Sequence, residues 1–288
     1  SGETTDVKGA DVGAIMWQHV PFSMMQRRAL AQGELPLWNR YNAGGVPLLA
    51  QGQSMFGDPL HLFVIAANGA AWAWDAKYLV AKWLFATALG LIVLRLSSSV
   101  PPLPFSPSPL LPAALVTVAA PFVGFFIYRV NHPAFFSLCY APWVLYCWLR
   151  VTPADTPADA SSSSTSKRPL TPRARTAGWA CGLIIANLAL MNSGTVKEAY
   201  MLLLCLNFSG ACVLLSSAAP PRHRLATLAA LSWAGLLFVL LTAPIWATFL
   251  TTLKTAYTGY NAASAFQIQP SLLLGLFDEL FYRPLMAA

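Results

Sequence analysis

Few residues in this chain could do chemistry, because only 10% of its 288 residues are charged. Lys197 and Glu198 stand side by side at the head of an apolar run. An ionisable pair is costly there, so it is either functional or a snorkelling interfacial pair. Arg129 and His132 flank a short turn between two other apolar runs. Arg27 and Arg28 lie on the polar side of a short amphipathic segment and suit lipid head groups. Asp6, Asp11 and Asp58 are carboxylates of the polar N-terminal stretch, where an acid is either solvated or a general base. Asp58 precedes Pro59, which equally serves a turn or a helix start.

Other chemistries find no support. The 4 histidines are scattered and form no metal set. Cys139, Cys147, Cys181, Cys205 and Cys212 all fall inside apolar runs without metal-ligand spacing, as small buried side chains do. There is no Gly-x-x-x-x-Gly-Lys-Ser/Thr phosphate loop, no His-Glu-x-x-His and no Gly-x-Ser-x-Gly. The net charge of +7 sits in short stretches between apolar runs rather than in a basic patch. No nucleic-acid partner is expected.

The densest polar run is Leu35-Pro36-Leu37-Trp38-Asn39-Arg40-Tyr41-Asn42-Ala43-Gly44-Gly45-Val46-Pro47, continuing through Gln51-Gly52-Gln53-Ser54. Paired Gly, several Pro and Asn predict a structured loop rather than a strand or helix. Trp38 and Tyr41 are aromatic types that settle at a membrane interface. This loop either caps a helix bundle or forms a site.

The elements that must position these residues are mostly membrane helices. With 56% hydrophobic residues spread along its length, the chain reads as an all-α membrane protein. About six transmembrane helices are expected, with a long N-terminal outer loop carrying a short amphipathic helix. That helix has Pro21 at its first turn, Gly33 just past its end, and Phe22, Met25 and Ala29 on one face. Residues 1–76 form the outer loop, with Leu60 to Trp74 as an interfacial segment. Residues 77–288 form the bundle, with spans at about 77–96, 110–128, 134–149, 177–191, 199–215 and 225–248. Lys82 lies one turn inside the first span and can snorkel. Residues 151–176, rich in Ser, Thr, Pro and Ala, predict a flexible cytoplasmic linker.

Loops on one side of this arrangement carry eight basic and two acidic residues, against ten and nine on the other. The strongly positive side is expected in the cytoplasm. The N-terminal loop and the C-terminal end are then outside a cell (inner) membrane. That topology implies a preceding helix before Ser1.

The run Gly-Glu-Leu-Pro-Leu-Trp-Asn-Arg-Tyr-Asn-Ala-Gly-Gly-Val-Pro-Leu-Leu-Ala-Gln-Gly-Gln-Ser, Gly33 to Ser54, resembles the first outer loop of YfhO-like membrane proteins of the GT-C glycosyltransferase class. Gln18-His19-Val20-Pro21 matches the stretch leading into it, and residues 192–200 look like a later short outer loop of that family. Family members are longer, so the chain would correspond to an N-terminal part. The resemblance implies transfer of a sugar from a polyprenyl-phosphate carrier to an acceptor outside the membrane. It makes Asp11 the expected general base, with Asp6 as the alternative because Asp11 is loosely spaced from Gln18. It offers Arg27, Arg28, Arg40, Arg129, His132, Lys197 and Glu198 for substrate binding. A divalent cation at the phosphate is possible, but no metal ligand can be named. The partners implied are the lipid-linked sugar, membrane lipids and further proteins of a membrane complex. A non-catalytic scaffold subunit is the second reading. A transporter or flippase is the third, disfavoured because the span centres hold almost no charge and no internal repeat is found.

Overall fold

The computed structural model describes residues 18–41, 45–49, 53–98, 108–123, 126, 133–152, 172–194 and 196–253. By contacts the chain divides into residues 1–249 and 250–288, and of the second unit only residues 250–253 are described. Over the described residues the fold is helical apart from one two-stranded ladder. Its helices are α1 (Val20–Ala31), α2 (Pro59–Ala66), α3 (Ala71–Ser97), α4 (Leu110–Ala119), α5 (Ala134–Val151), α6 (Pro172–Asn192), α7 (Val196–Ser216), α8 (Pro221–Leu241) and α9 (Ala243–Leu253). A short 3-10 turn, Ala120–Phe122, closes α4 at Pro121.

Among the described residues four helices are long and apolar enough to cross a membrane: α3, α5, the Glu198–Ser216 part of α7, and α8. Two of the six expected spans are shorter apolar stretches, Leu110–Phe122 and Thr176–Asn192. Pro121, which cannot donate to a helical ladder, marks the early end of the first. The expected start of the first span also moves. α3 begins at Ala71, and the interfacial segment becomes a separate helix, α2, with a turn between them.

α1 matches its reading closely. Pro21 lies in the first turn, and Phe22, Ser23, Gln26 and Ala29 are buried while Arg27 and Arg28 are exposed. Gly33 follows at φ +76°, with Gly33 N donating to Leu30 O and Glu34 N to Ala29 O. This is the paired closure that a left-handed residue permits at a helix end. α2 ends the same way, with Asn68 at φ +56° in the place of glycine. That ending reverses the chain and lets α3 start beside α2.

The polar loop holds a small ladder where none was expected. Trp38–Asn39 pairs antiparallel with Val46–Pro47, and Leu48 N extends it by donating to Leu37 O at 2.9 Å. Close backbone approach is possible because Gly45 has no side chain. A Cβ there would overlap the Trp38 indole.

α5 is the centre of the bundle, with 72% of its apolar window buried against 17–33% for the other three spans. It packs on α3, α6 and α7, while α6 also packs on α8. Lipid-type helix association lacks a strong hydrophobic drive, so close approach and interhelical hydrogen bonds carry more of it. Trp148 Nε1 donates to Asn207 Oδ1 at 3.0 Å, and Asn207 Nδ2 donates to Asn187 Oδ1 at 3.1 Å. This joins α5, α7 and α6. Gly210 leaves room for the Trp148 ring, which a Cβ at that position would strike. Gly210→Ala should therefore displace the indole and break its bond to Asn207. We expect a loss of about 1–3 kcal/mol, the usual cost of overpacking, read as a lowered melting temperature of the detergent-solubilised protein.

Candidate functional site

The site begins at Asp58, whose backbone is extended just before α2 and whose Oδ1 accepts from Leu60 N at 3.1 Å. That is an N-cap, as the Asp-Pro pairing allows. The same carboxylate is also completely buried. Oδ1 accepts the Tyr140 hydroxyl from α5 at 2.7 Å. Oδ2 lies 2.7 Å from Lys77 Nζ of α3, an ion-pair contact between two side chains that are both 0% exposed.

An ammonium has three donors and no acceptor. Lys77 Nζ contacts Met55 Sδ at 3.2 Å and His61 Nδ1 at 3.3 Å besides the carboxylate. It also stands over the faces of Phe136, 4.1 Å from the centroid, and Trp74, at 5.4 Å. Met55 holds its thioether there from a left-handed backbone, φ +54°. Such a conformation is uncommon for a residue with a side chain.

The chemistry of Lys77 settles the state of His61. Because Lys77 can only donate, Nδ1 of His61 must accept, so the ring proton sits on Nε2. Nε2 lies 3.3 Å from Ser23 Oγ, and Ser23 in turn donates to His19 O at 2.7 Å. One direction of donation thus runs from Lys77 through His61 and Ser23 to the backbone of α1. Burial, then Lys77, then His19 hold the His61 pKa well below its ordinary 6.5. His61 is therefore neutral at pH 7.

Further bonds sew α1 to the 53–54 segment. Gln26 Nε2 donates to Ser54 O at 2.7 Å, and His19 Nδ1 lies 3.0 Å from Gln53 O. α1, α2, α3 and α5 meet at this one cluster. Its hub residue among the ions, Lys77, reads in the sequence as no more than the start of a span. The available signal was a lysine inside an apolar run with Asp58 upstream.

The residues named for chemistry are distributed differently. Asp6, Asp11, Arg129, His132 and the side chain of Lys197 lie outside the described residues, as do positions 153–171 of the expected linker. Glu198 is half-buried in the first turn of α7. Arg27 and Arg28 are exposed on α1. Arg40 pairs with Glu34 at 3.4 Å on the surface. Lys82 leans over the Tyr78 ring, 5.3 Å from its centroid. Of these, Arg28 stands beside the polar loop, its Cζ 5.9 Å from the Tyr41 ring centroid. Among the described residues no group of three or more His, Cys, Asp or Glu could hold a metal ion.

Asp58 therefore has both oxygens committed and serves as a lock, not as an accessible base. Breaking a buried pair from one side strands a charge and costs about 3–5 kcal/mol, whereas removing both charges is close to neutral. Lys77→Met and Asp58→Asn should each strongly destabilise the protein, while the double variant recovers most of the loss. Thermal unfolding of the purified protein in one detergent measures all three.

A second outcome follows from His61. Its folded pKa is depressed, so its contribution is present above pH 6.5 and is lost as pH falls below that value. Melting temperature should decline between pH 6.5 and 5, and His61→Gln should flatten that decline.

No protein family model, no curated protein and no solved structure matches this chain, so its functional reading rests on its own residues.

Proposed function

We propose that this chain is a membrane glycosyltransferase, or the N-terminal part of one. It would take a sugar from a polyprenyl-phosphate carrier and pass it to an acceptor on the outer side of the cell membrane. The observation that supports this reading is the placing of cations. The α1–α2 module is tied to α3 and α5, and Arg27, Arg28 and Arg40 stand exposed on it and on the adjoining loop, Arg28 against the Tyr41 ring. Membrane interfaces favour such aromatic side chains. Arg95 near the end of α3, Arg150 near the end of α5, and Arg222 and Arg224 at the start of α8 supply cations at the opposite ends of their helices. Basic residues gather on the cytoplasmic side, which favours an outward-facing module.

In this reading the resemblance of residues 33–54 to a GT-C outer loop supplies the reaction. A neutral acceptor hydroxyl needs a base, and Asp11 is the first candidate with Asp6 behind it. The departing phosphate needs cationic stabilisation, which Arg27 and Arg28 are suited to give. Asp58 is not part of that chemistry.

The second reading is a non-catalytic scaffold subunit. It is favoured by the ion pair itself, where the one fully buried acid among the described residues is spent on holding helices together.

The deciding measurement is transfer from a radiolabelled polyprenyl-phosphate sugar by the full-length protein in membranes. Asp11→Asn should abolish transfer, by about 10²-fold or more for loss of a general base, while Asp6→Asn retains it. Wild-type inactivity with several donor sugars would leave the scaffold reading standing.

A further inference from the structure

A cleft of about 380 Å³ opens between α1 and the Trp38–Tyr41 turn, lined by Phe22, Met24, Met25, Arg28, Asn39 and Tyr41 among others. Asn39 is 6% exposed. Its Oδ1 accepts the Tyr41 backbone N–H at 3.1 Å. That bond fixes the orientation of the amide, because a backbone N–H can only donate. The NH2 group is then the free end, and it has no hydrogen-bond partner among the described residues. Solvent still reaches this nitrogen, so a ligand oxygen in the cleft can take the place of the water that meets it. Arg28 is the second donor of the cleft. Its guanidinium makes the contact to the Tyr41 ring and no hydrogen bond to any described residue.

The polar side of the cleft thus presents donors and positive charge, and none of its described lining residues is acidic. Its complement is an anion with several acceptor oxygens. The other side is apolar, formed by Phe22, Met24 and Met25, with Met24 44% exposed. Nearby in the fold, Phe63 of α2 and Trp72 of α3 stand edge to face at 5.4 Å, 46% and 60% exposed. Large exposed rings at the head of a span are the signature of a bilayer interface. An anion bearing an apolar chain fits this setting better than a free anion.

We propose that this cleft binds the phosphate of a membrane lipid, with the Asn39 amide and the Arg28 guanidinium as its donors and the methionine side receiving the start of the chain. The identity of that lipid as the polyprenyl-phosphate carrier rests on the glycosyltransferase reading, whereas the phosphate site rests on the cleft alone. Asn39 here is a binding residue that the sequence reading left unmarked between Trp38 and Arg40.

The test uses the full-length protein in phosphatidylcholine nanodiscs, titrated with a fluorescent polyprenyl phosphate. Phosphatidylglycerol and inorganic phosphate serve as separate competitors. Asn39→Asp is the decisive variant, since a carboxylate still accepts from Tyr41 N while presenting an anion where the donor was. Binding should weaken at least about tenfold in Asn39→Asp and in Arg28→Gln, an effect of a size that one charge-assisted contact accounts for. An unchanged melting temperature would show that both variants are folded. Competition by inorganic phosphate alone, or equal binding by wild type and both variants, would overturn the proposal. Equal competition by phosphatidylglycerol would keep the phosphate site and remove its link to the carrier. Binding of polyprenyl phosphate without sugar transfer would likewise retain the site and count against the enzyme.

Discussion

The contact between Lys77 and Asp58 is the constraint on which the N-terminal half of this fold depends. Both groups are removed entirely from solvent, at a desolvation cost of several kcal/mol each. That cost is tolerable only because every neighbour is of the right kind. The carboxylate receives a hydroxyl, a backbone N–H and an ammonium, while the ammonium finds a thioether, an imidazole nitrogen and two aromatic faces. The groups come from α2, α3, α5 and the segment before α2. Satisfying one ion therefore fixes the relative placement of all of them. Such a pair contributes more to a unique arrangement than to net stability, since an apolar replacement of equal volume could pack as well.

The bundle interior solves its polar problem in another way. Trp148, Asn187 and Asn207 carry no charge: the indole N–H donates to Asn207, and the two amides donate and accept between themselves, across three helices. Neutral groups suit a lipid-facing environment, where a stranded charge is far more expensive than a stranded amide. The ion pair sits instead at the end of the bundle, under α1 and α2 and away from the middle of α5. Charge is thus confined to the region where a polar module covers it.

How much of this was legible in the residues follows from the range of each interaction. The α1 face, its Pro21 entry and its Gly33 exit are local patterns, and they read correctly. The apolar runs also read correctly as helical, because periodicity and composition act over one segment at a time, but the expected span at about 225–248 is broken at Thr242 between α8 and α9. The break at Ala67–Ala70 was missed, since Asn68 closing α2 in a left-handed conformation leaves no proline as a marker. The Trp38–Val46 ladder was missed for a similar reason: two residues per strand carry no alternation to detect. The cluster was only faintly marked, by Lys77 inside an apolar run with Asp58 upstream, because its partner from α5 is far away in the chain. Tyr140 lies 82 residues from Asp58, and neither residue type announces a partner at that distance. Asn39 stayed unmarked because a burial-dependent spare donor is a property of packing, not of spelling.

The lock and the cleft are two faces of one helix, and this links them physically. Ser23 and Gln26 point from α1 into the buried cluster, whereas Met24 and Arg28, four residues apart, share a stripe on the other side. A rigid helix cannot shift one face without moving the other. Anything that loosens the attachment of Ser23 to His61 also moves Arg28 relative to Asn39, which is anchored separately through the β pairing. The donor pair of the cleft is therefore preorganised only while His61 is neutral and Asp58 holds Lys77. Charge on His61 would place a second cation 3.3 Å from an ammonium, with no acid besides Asp58 paired to either among the described residues. The attachment of α1 thus depends on a proton that the His61 imidazole declines to take, first because the ring is buried and then because of the lysine beside it.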